Sequence, residues 1–298
     1  MSYLLCADIG ATKINTGLVK DHQVIKNHKV DTGQKKGLAF TLRQLKKSLE
    51  IYQPKNAGAI ALAWAGPVDF KRGVILGATN FPKTVINYRL IDTVEKWFKR
   101  PVFIEHDGLC FTLAESILGA AKKYRDVIGL TLGTGIGGGL VIDKKIYRGY
   151  KNLMEIGHMK ITENGFKCSC GQSGHFESQA SGPALSKYYK KISGQEKSPQ
   201  EIEGLAKLGN KAALKASLAL ARYLGIGLAN YINILSPDIL VIGGGLSRFK
   251  MILDRAKKET EKYLVYPKLY QIRIVKSKLE DNALLLGASL IVDKKYQS

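Results

Sequence analysis

Apolar and polar positions at the start of the chain alternate with the period of β-strands. Residues 3–9 form an apolar run, and alternating segments follow from Ile14 to Leu18 and from Val24 to Val30. Alternation with a period of two is typical of strands that bury one face. Leucines then recur every three or four residues between Gly37 and Ile51, which predicts an amphipathic helix. A buried strand is predicted next, from Ala57 to Ala63.

Strands and helices continue through the rest of the chain. Further strands are predicted at 101–105, 126–132, 140–143, 239–242 and 272–275. Further helices are predicted after residue 106 as far as 118, from residue 183, over 199–208, 211–235 and 251–260, and over 282–292. Small residues recur along 211–235, which predicts a closely packed core helix. At 298 residues the chain is long enough for two lobes.

A loop between Glu155 and Glu177 contains a set of metal-binding residues. Two histidines and two cysteines lie within eighteen residues: His158, Cys168, Cys170 and His175. Thiolate and imidazole are ligands that zinc prefers, and four of them fill the tetrahedral shell of a structural site. Such a metal would also hold the two flanking carboxylates in place. The residues alone leave open ordinary loop thiols and a surface histidine.

Two glycine-containing turns are candidate ligand-binding loops. The first runs from Asp8 through Gly10 and Thr12 to Lys13. The second is the glycine-rich segment 133–139, which begins Gly133-Thr134-Gly135. Successive glycine amides can surround phosphate oxygens. An Asx-type turn in the first case and a plain glycine-rich hairpin in the second are the alternatives.

Three more segments carry candidate binding residues. Glu105-His106-Asp107 ends a predicted strand directly before a helix, where an aspartate is commonly only an N-cap. Asn80 is a further polar candidate, although asparagine near a turn is common without a binding role. The run Gly243-Gly244-Gly245 follows another predicted strand, and it would let the backbone pass close to a planar ring.

Charge and cysteine usage limit the class of protein. The formal net charge is +21, but lysine pairs are dispersed from Lys35-Lys36 to Lys294-Lys295, so a solvated basic surface is favoured over a nucleic-acid site. Of the four cysteines, Cys6 and Cys110 lie in apolar segments, and no disulfide framework is indicated. The chain start lacks the features of a secretory signal, and no apolar run is long enough to suggest a membrane span. We therefore expect a cytoplasmic protein without nucleic-acid or membrane partners.

Taken together, these segments resemble the ROK family of repressors, open reading frames and sugar kinases. The resemblance rests on Glu155-Ile-Gly-His158, on Cys168-Ser-Cys170-Gly and on the following Glu177, and it extends in order over nearly the whole chain. Relatives carry cysteine where His175 stands, which implies a Cys2His2 zinc site here. They carry asparagine where His106 stands, at a position that touches the sugar.

The resemblance implies an α/β fold with two lobes, the actin-like ATPase or ribonuclease H-like fold, with a cleft between the lobes. The expected small lobe comprises residues 1–115 and a C-terminal helix at 283–298, and the expected large lobe, 116–282, carries the zinc loop. The implied activity is transfer of phosphate from ATP to a hexose, with glucose as the default and Mg²⁺ and structural Zn²⁺ as cofactors. Fructose, mannose or an N-acetylhexosamine as substrate, polyphosphate as donor, and a non-catalytic sugar sensor are alternatives.

The resemblance also assigns roles to individual residues. Asp107 is the catalytic base for a sugar hydroxyl, on C6, and Asp8 organises Mg²⁺. The sugar-binding set is Asn80, His106, Asp107, Glu155, His158 and Glu177. The nucleotide-binding set is Asp8, Gly10, Thr12, Lys13, Gly133, Thr134, Gly135, Gly243, Gly244 and Gly245. One ring nitrogen of His158 is expected to bind zinc while the other faces the sugar. The expected partners are a sugar, a nucleotide and a second copy of the chain, and a repressor is disfavoured because the first strand begins too early for a preceding DNA-binding motif.

Overall fold

A computed structural model describes residues 3–77, 81–269 and 273–296. The strands are β1 Leu4–Ile9, β2 Lys13–Lys20, β3 Gln23–Asp31, β4 Ala59–Trp64, β5 Val68–Asp69, β6 Val74–Ile75, β7 Val102–His106, β8 Val127–Leu132, β9 Ile136–Ile142, β10 Lys145–Tyr147, β11 Ile239–Gly243 and β12 Arg273–Lys276. The α-helices are α1 Leu38–Glu50, α2 Leu90–Phe98, α3 Asp107–Ile117, α4 Phe176–Ala180, α5 Gly182–Ser193, α6 Pro199–Lys207, α7 Lys211–Leu235, α8 Lys250–Glu261 and α9 Ala283–Leu290.

The chain forms two compact units. Unit 1 comprises Met1–Gly129, Gly138–Glu155 and Lys278–Ser298, and unit 2 comprises Leu130–Gly137 and Ile156–Ser277. This division differs from the lobe boundary expected at residue 115, because α3 packs against α9 and also contacts β10. Residues 116–129 and 138–155 therefore belong to the first unit.

A five-stranded sheet organises unit 1, with the order β3-β2-β1-β4-β7. The first three strands pair antiparallel in chain order, whereas β4 and β7 run parallel to β1. All six residues of β4 are buried, as expected for a parallel strand covered on both faces. Side chains such as Leu45 and Leu49 of α1 join the core under this sheet, which explains the spacing of leucines in that helix.

A second five-stranded sheet has the order β10-β9-β8-β11-β12. The pair β9 and β10 is antiparallel, and the pair β11 and β12 is parallel. The structure differs from the predicted pattern at β9, which begins at Ile136 and not at Leu140, so most of the glycine-rich segment is strand. The helix α2 and the short strand β10 were not predicted.

The longest helix, α7, forms much of the core of unit 2. Its length of 25 residues and its mean hydropathy of 1.3 would suit a membrane span, but a buried core helix has the same properties. Over half of its most apolar segment, 56%, is buried within the protein. The helix packs against α4, α5, α6 and α8, in agreement with the core role predicted from its small residues.

Candidate functional site

Two aspartates lie at one edge of the unit 1 sheet. Asp8 is in β1, opposite Ala63 of β4, and Asp107 follows β7 as the first residue of α3. Because β1, β4 and β7 are parallel, their carboxyl ends meet at the same edge. Ligands of open α/β sheets bind outside such an edge. The sheet therefore brings together the predicted base and the predicted magnesium-organising acid.

The two carboxyl groups affect each other's ionisation. The pKa of Asp8 is raised to about 8, mainly by burial and additionally by the negative charge of Asp107, while Lys29 opposes the shift. Burial also raises the pKa of Asp107, while His106 and the backbone N–H of Gly108 lower it. That N–H donates to Asp107 Oδ1 over 2.7 Å. Two acids held in a partly dry site favour a bound cation, because a cation permits both to be ionised.

We expect Asp8→Asn to raise the free energy of unfolding of the metal-free protein at pH 7 by up to about 4 kcal/mol. The folded-state pKa of Asp8 is about 8, whereas an unfolded aspartate titrates near 3.9. Between these two pH values Asp8 is protonated in the folded protein and ionised in the unfolded chain. The free energy of unfolding is therefore highest at low pH, and it falls as the pH rises toward 8. Urea unfolding at several pH values should show a flatter pH dependence for the variant. The same pH dependence in variant and parent would contradict the shifted pKa.

The turn after β1 is tight and well fixed. The Gly10 N–H donates to the Lys13 carbonyl over 3.0 Å, and Thr32 Oγ1 donates to the Gly10 carbonyl over 2.7 Å. Thr12 and Lys13 are exposed at the end of the turn. The predicted first phosphate turn is therefore preformed, next to the aspartate of β1.

His106 is buried beside the predicted base. It is 5% exposed, and its Nε2 lies 3.3 Å from Asp107 Oδ1. Its backbone N–H donates to Glu105 Oε1 over 2.9 Å. A histidine in this position can donate a proton or a hydrogen bond to Asp107. An asparagine there could donate only the hydrogen bond.

A cavity of about 860 Å³ lies wholly within unit 2. Its walls include the turn between β8 and β9, the segment after β11, and the start of α5 and α6. The residues that matter here are Gly133, Thr134, Gly245, Leu246, Phe249 and Lys187. Leu246 and Phe249 line the cavity with apolar side chains, and Gly133 and Gly245 line it with backbone atoms. A pocket of this size and composition suits a nucleotide-sized ligand.

The turn between β8 and β9 offers fewer free amides than the sequence suggests. The Gly133 N–H donates to the Gly135 carbonyl over 3.0 Å, and the Gly133 carbonyl accepts from Gly182 N–H over 2.8 Å. Within the described ranges, the amides of Thr134 and Gly135 donate to no other residue. The segment with amides available to a ligand is therefore shorter than 133–139, since β9 begins at Ile136. The later glycines serve packing, since a Cβ on Gly139 would lie 2.8 Å from a Leu109 methyl group.

The three glycines at the end of β11 differ in their structural roles. Gly243 ends the strand, and Gly244 has a φ of 82°, a conformation that other residues rarely adopt. A Cβ on Gly244 would also collide with the Leu132 carbonyl. By contrast, a Cβ on Gly245 would meet no atom within 4 Å, and Gly245 lines the cavity. This segment therefore brings the backbone of Gly245 to the cavity wall.

The four predicted zinc ligands come together in unit 2. Their ligand atoms all lie within 4.8 Å of one another. His158 Nδ1 is 3.3 Å from His175 Nδ1 and 3.5 Å from Cys168 Sγ, and Cys170 Sγ is 3.3 Å from His175 Nδ1. Zinc bonds of about 2.0–2.3 Å in a tetrahedron require ligand atoms roughly 3.3–3.8 Å apart. The donor set and its spacing therefore fit a zinc ion, with His175 as the fourth ligand.

Further hydrogen bonds orient this cluster. His175 Nε2 lies 3.1 Å from Gln172 Oε1, which would fix the ring while Nδ1 faces the metal position. Burial lowers the pKa of His175, and the neighbouring His158 lowers it further, so the neutral form that binds zinc is favoured. The cluster uses Nδ1 of His158, which leaves Nε2 as the nitrogen for the second role expected of that residue.

Glu177 connects the metal cluster with the β8–β9 turn that lines the 860 Å³ cavity. It lies in the first turn of α4, two residues after the predicted ligand His175. Its Oε2 accepts the Ile136 N–H over 3.0 Å, and its Oε1 accepts Ser169 Oγ–H over 3.3 Å. A Cβ on Gly135 would collide with the same carboxylate. Glu177 thus supports the start of β9, a role that its predicted sugar contact did not include.

Of the predicted sugar ligands Glu155 and Asn80, the structure describes only Glu155. Glu155 is partly buried at the end of unit 1. Asn80 lies outside the described residues.

A buried ion pair next to Asp107 was missed by the sequence analysis. Glu105 is fully buried, and its Oε2 accepts Arg148 Nε–H over 2.8 Å. Asn152 Nδ2 donates to the other oxygen, Oε1, over 2.7 Å. The one sequence signal for this pair was an acid in the predicted strand 101–105, because a buried carboxylate needs a cationic partner.

These features define a class of protein. Two α/β units, an acid-bearing sheet edge and a glycine turn beside a nucleotide-sized cavity are the elements of the actin-like ATPase fold found in sugar kinases. The chain matches the model of the ROK family over residues 4–295, and it belongs to that family.

Individual relatives agree with this membership. A glucokinase from Thermotoga maritima is 30% identical, with 98% of each chain covered. A xylose repressor from Caldicellulosiruptor bescii is also 30% identical, over 89% of this chain and 70% of the repressor. Among solved structures, a ROK family glucokinase from Streptomyces griseus, in complex with glucose and AMPPNP, has a TM-score of 0.88 at 28% identity, with 97% of this chain and 98% of that chain covered.

Proposed function

We propose that the protein is a kinase that transfers the γ-phosphate of ATP to a hexose, with glucose as the preferred substrate and glucose 6-phosphate as product. The observation that supports this most strongly is the pairing of Asp107 with Asp8 at one sheet edge, both with raised pKa values. The similarity to glucokinases, one of them with bound glucose and AMPPNP, supports the same conclusion.

In the proposed reaction Asp107 accepts the proton of the C6 hydroxyl as that oxygen attacks the γ-phosphorus. The new O–P bond forms while the bond to the β-phosphate oxygen breaks, and ADP leaves. A pKa raised by burial suits this role, because a stronger base accepts a proton more readily. Asp8 would hold Mg²⁺, which when bound supplies positive charge next to the phosphates.

The remaining predicted residues would bind the substrates. The amides of Thr134 and Gly135 would donate to phosphate oxygens, and Gly245 would border the adenosine. Asn80, His106, Glu155, His158 and Glu177 would contact sugar hydroxyls. The zinc cluster would supply no chemistry to the reaction and would fix the loop that carries His158 and Glu177.

The test is ADP release with Mg-ATP across hexoses and N-acetylhexosamines, with polyphosphate as an alternative donor. We expect sugar-dependent turnover, highest with glucose. A protein that binds sugar but turns over with neither donor would instead be a sensor, a role that the similarity to a xylose repressor makes worth including. Mass measurement in solution would test the expected homodimer.

We expect His106→Asn to change sugar preference more than nucleotide affinity. The buried imidazole contacts Asp107, and its shape and hydrogen-bonding groups differ from those of asparagine. One altered hydrogen bond to a hydroxyl is worth about 1–3 kcal/mol, so the ratio of kcat/KM between two sugars should shift roughly five- to a hundredfold. KM for ATP should stay within about twofold. Unchanged relative rates across the sugar panel would contradict this role.

A further inference from the structure

The carboxylate of Glu105 is enclosed near the end of β7, one residue before His106. Glu105 is 0% exposed. Its Oε2 accepts Arg148 Nε–H over 2.8 Å and lies 2.8 Å from Arg148 Nη2, while its Oε1 accepts from Asn152 Nδ2 over 2.7 Å. A buried carboxylate with several strong donors is held in one position. The loop after β10, which carries Arg148 and Asn152, therefore fixes this side chain.

Arg148 is itself held by a second segment of unit 1. It is 7% exposed, and its guanidinium carbon lies 3.8 Å from the centre of the Phe70 ring. Phe70 lies in the turn between β5 and β6. A planar guanidinium can stack on an aromatic ring and donate hydrogen bonds in its own plane at the same time, which a lysine ammonium cannot do. The β5–β6 turn therefore orients Arg148 and, through it, Glu105.

The contacts continue from Glu105 to the proposed base. Glu105 Oε1 accepts the His106 N–H over 2.9 Å, and His106 Nε2 lies 3.3 Å from Asp107 Oδ1. The helix α3 begins at Asp107, so the backbone at His106 sets where that helix starts. A displacement of about 1 Å at a reacting group can lower a rate by roughly a hundredfold. A change at Arg148 can therefore reach the reaction through two intervening residues.

Stability alone is a weak explanation for the pair of Glu105 and Arg148. Removing two charges from water costs free energy that their attraction often only offsets, and apolar residues of similar volume often stabilise such a position equally well. A reaction centre, by contrast, needs its groups within about 0.5 Å of the productive geometry. A rigid pair of charges beside His106 meets that need.

We propose that Arg148 is a positioning residue for phosphoryl transfer. Through Glu105 it fixes the backbone at His106, and it thereby holds the Asp107 carboxylate where it can accept the proton of the sugar hydroxyl. This role rests on the proposed kinase activity, because it concerns the base of that reaction. Arg148 has no proposed contact with sugar, nucleotide or metal, so its effect on the rate passes through Glu105.

The experiment compares two variants of the full chain by steady-state kinetics and urea unfolding. Arg148→Met leaves the Glu105 carboxylate buried without its cation, so kcat and the urea midpoint should both fall. Glu105→Met combined with Arg148→Met leaves neither charge, so most of the lost urea midpoint should return. The kcat of this double variant should still be at least about tenfold below that of the parent, with KM for ATP within about twofold. A kcat that recovers together with the midpoint would show a purely structural pair and overturn the proposal.

Arg148→Lys keeps the positive charge, and it provides a test should the double variant fail to fold. It should retain most of the parental urea midpoint, whereas kcat should fall by about threefold or more because the ammonium group cannot reproduce the stacked, forked geometry. The matched control is Arg89→Met combined with Asp92→Met, which removes an exposed ion pair at the start of α2 in the same unit. Its kcat should equal that of the parent within about twofold. Parental kcat in Arg148→Lys, or an equal loss in the control, would overturn the proposal.

The pKa of Asp107 separates this role from the kinase proposal. His106 and the Gly108 N–H lower that pKa, so displacement of the carboxylate from them should raise it in the double variant. Carbon-13 NMR of labelled aspartate measures the pKa without any turnover. An unchanged pKa of Asp107 would overturn the positioning role even in an active enzyme. A parent protein that turns over no sugar would overturn the kinase proposal, and the pKa would still decide whether Arg148 orients Asp107.

Discussion

Asp107→Asn is expected to lower kcat by about 10²–10⁴ while the dissociation constant for sugar changes by less than about threefold. The amide has nearly the shape of the carboxylate and can still accept the Gly108 N–H, so the start of α3 should remain intact. It cannot accept a proton from the sugar hydroxyl. Single-turnover kinetics and sugar titrations on the same preparation would measure both effects.

Asp92→Asn is the matched control for this variant. It makes the same chemical change in unit 1, on the exposed side of α2, where Asp92 pairs with Arg89. Its kcat should match that of the parent within about twofold. An Asp107→Asn enzyme with near-parental kcat would remove the proposed base.

His106 is the group that could replace Asp107 in part. Its Nε2 is 3.3 Å from the carboxylate, which places the imidazole within reach of the same proton. Residual activity carried by that route should disappear in Asp107→Asn combined with His106→Asn. If the double variant keeps the residual rate of the single variant, the remaining catalysis comes from substrate positioning alone.

The order of elements could be predicted because the local signals were strong. The strand at residues 3–9 and the helix at 211–235 appear within a residue of their expected bounds, since both have long patterns with clear ends. The family assignment was confirmed as well. The helix α2 was missed although Leu90 and Val94 are buried in one stripe, because its nine residues follow a segment rich in turn residues.

The candidate site could be predicted in part. Ligand types at short spacing made the zinc cluster visible in the sequence, and its four atoms do come together. The roles of Gly133 and Gly139 were not visible, because their contacts with Gly182 and with Leu109 of α3 join residues far apart in the sequence. The Glu105 and Arg148 pair was hidden for the same reason, since 43 residues separate its members.

Loss of zinc is expected to affect nucleotide binding as well as sugar binding. In Cys168→Ser we expect less than about 0.1 zinc per chain by elemental analysis, and a kcat/KM for sugar at least tenfold below that of the parent. The kcat/KM for sugar should fall because Glu177, a proposed sugar ligand, lies beside the zinc ligands at the start of α4. Its carboxylate also holds the Ile136 N–H beside the Gly135 turn, so KM for ATP should rise by about threefold or more.

Ser173→Ala is the control within the same loop. Ser173 is exposed and supplies no ligand atom to the cluster, so this variant should keep one zinc per chain and parental kinetics. Zinc absent from the parent protein would contradict the site altogether.

The substitution of His175 tests the fourth ligand, because cysteine and histidine are both zinc ligands and alanine is not. His175→Cys should retain zinc in a Cys3His site, whereas His175→Ala should lose it. Retention of zinc in the alanine variant would show that His158, Cys168 and Cys170 suffice and that a fourth coordination position is open. An open position would be typical of catalytic zinc, and the metal could then no longer be assigned a purely structural role.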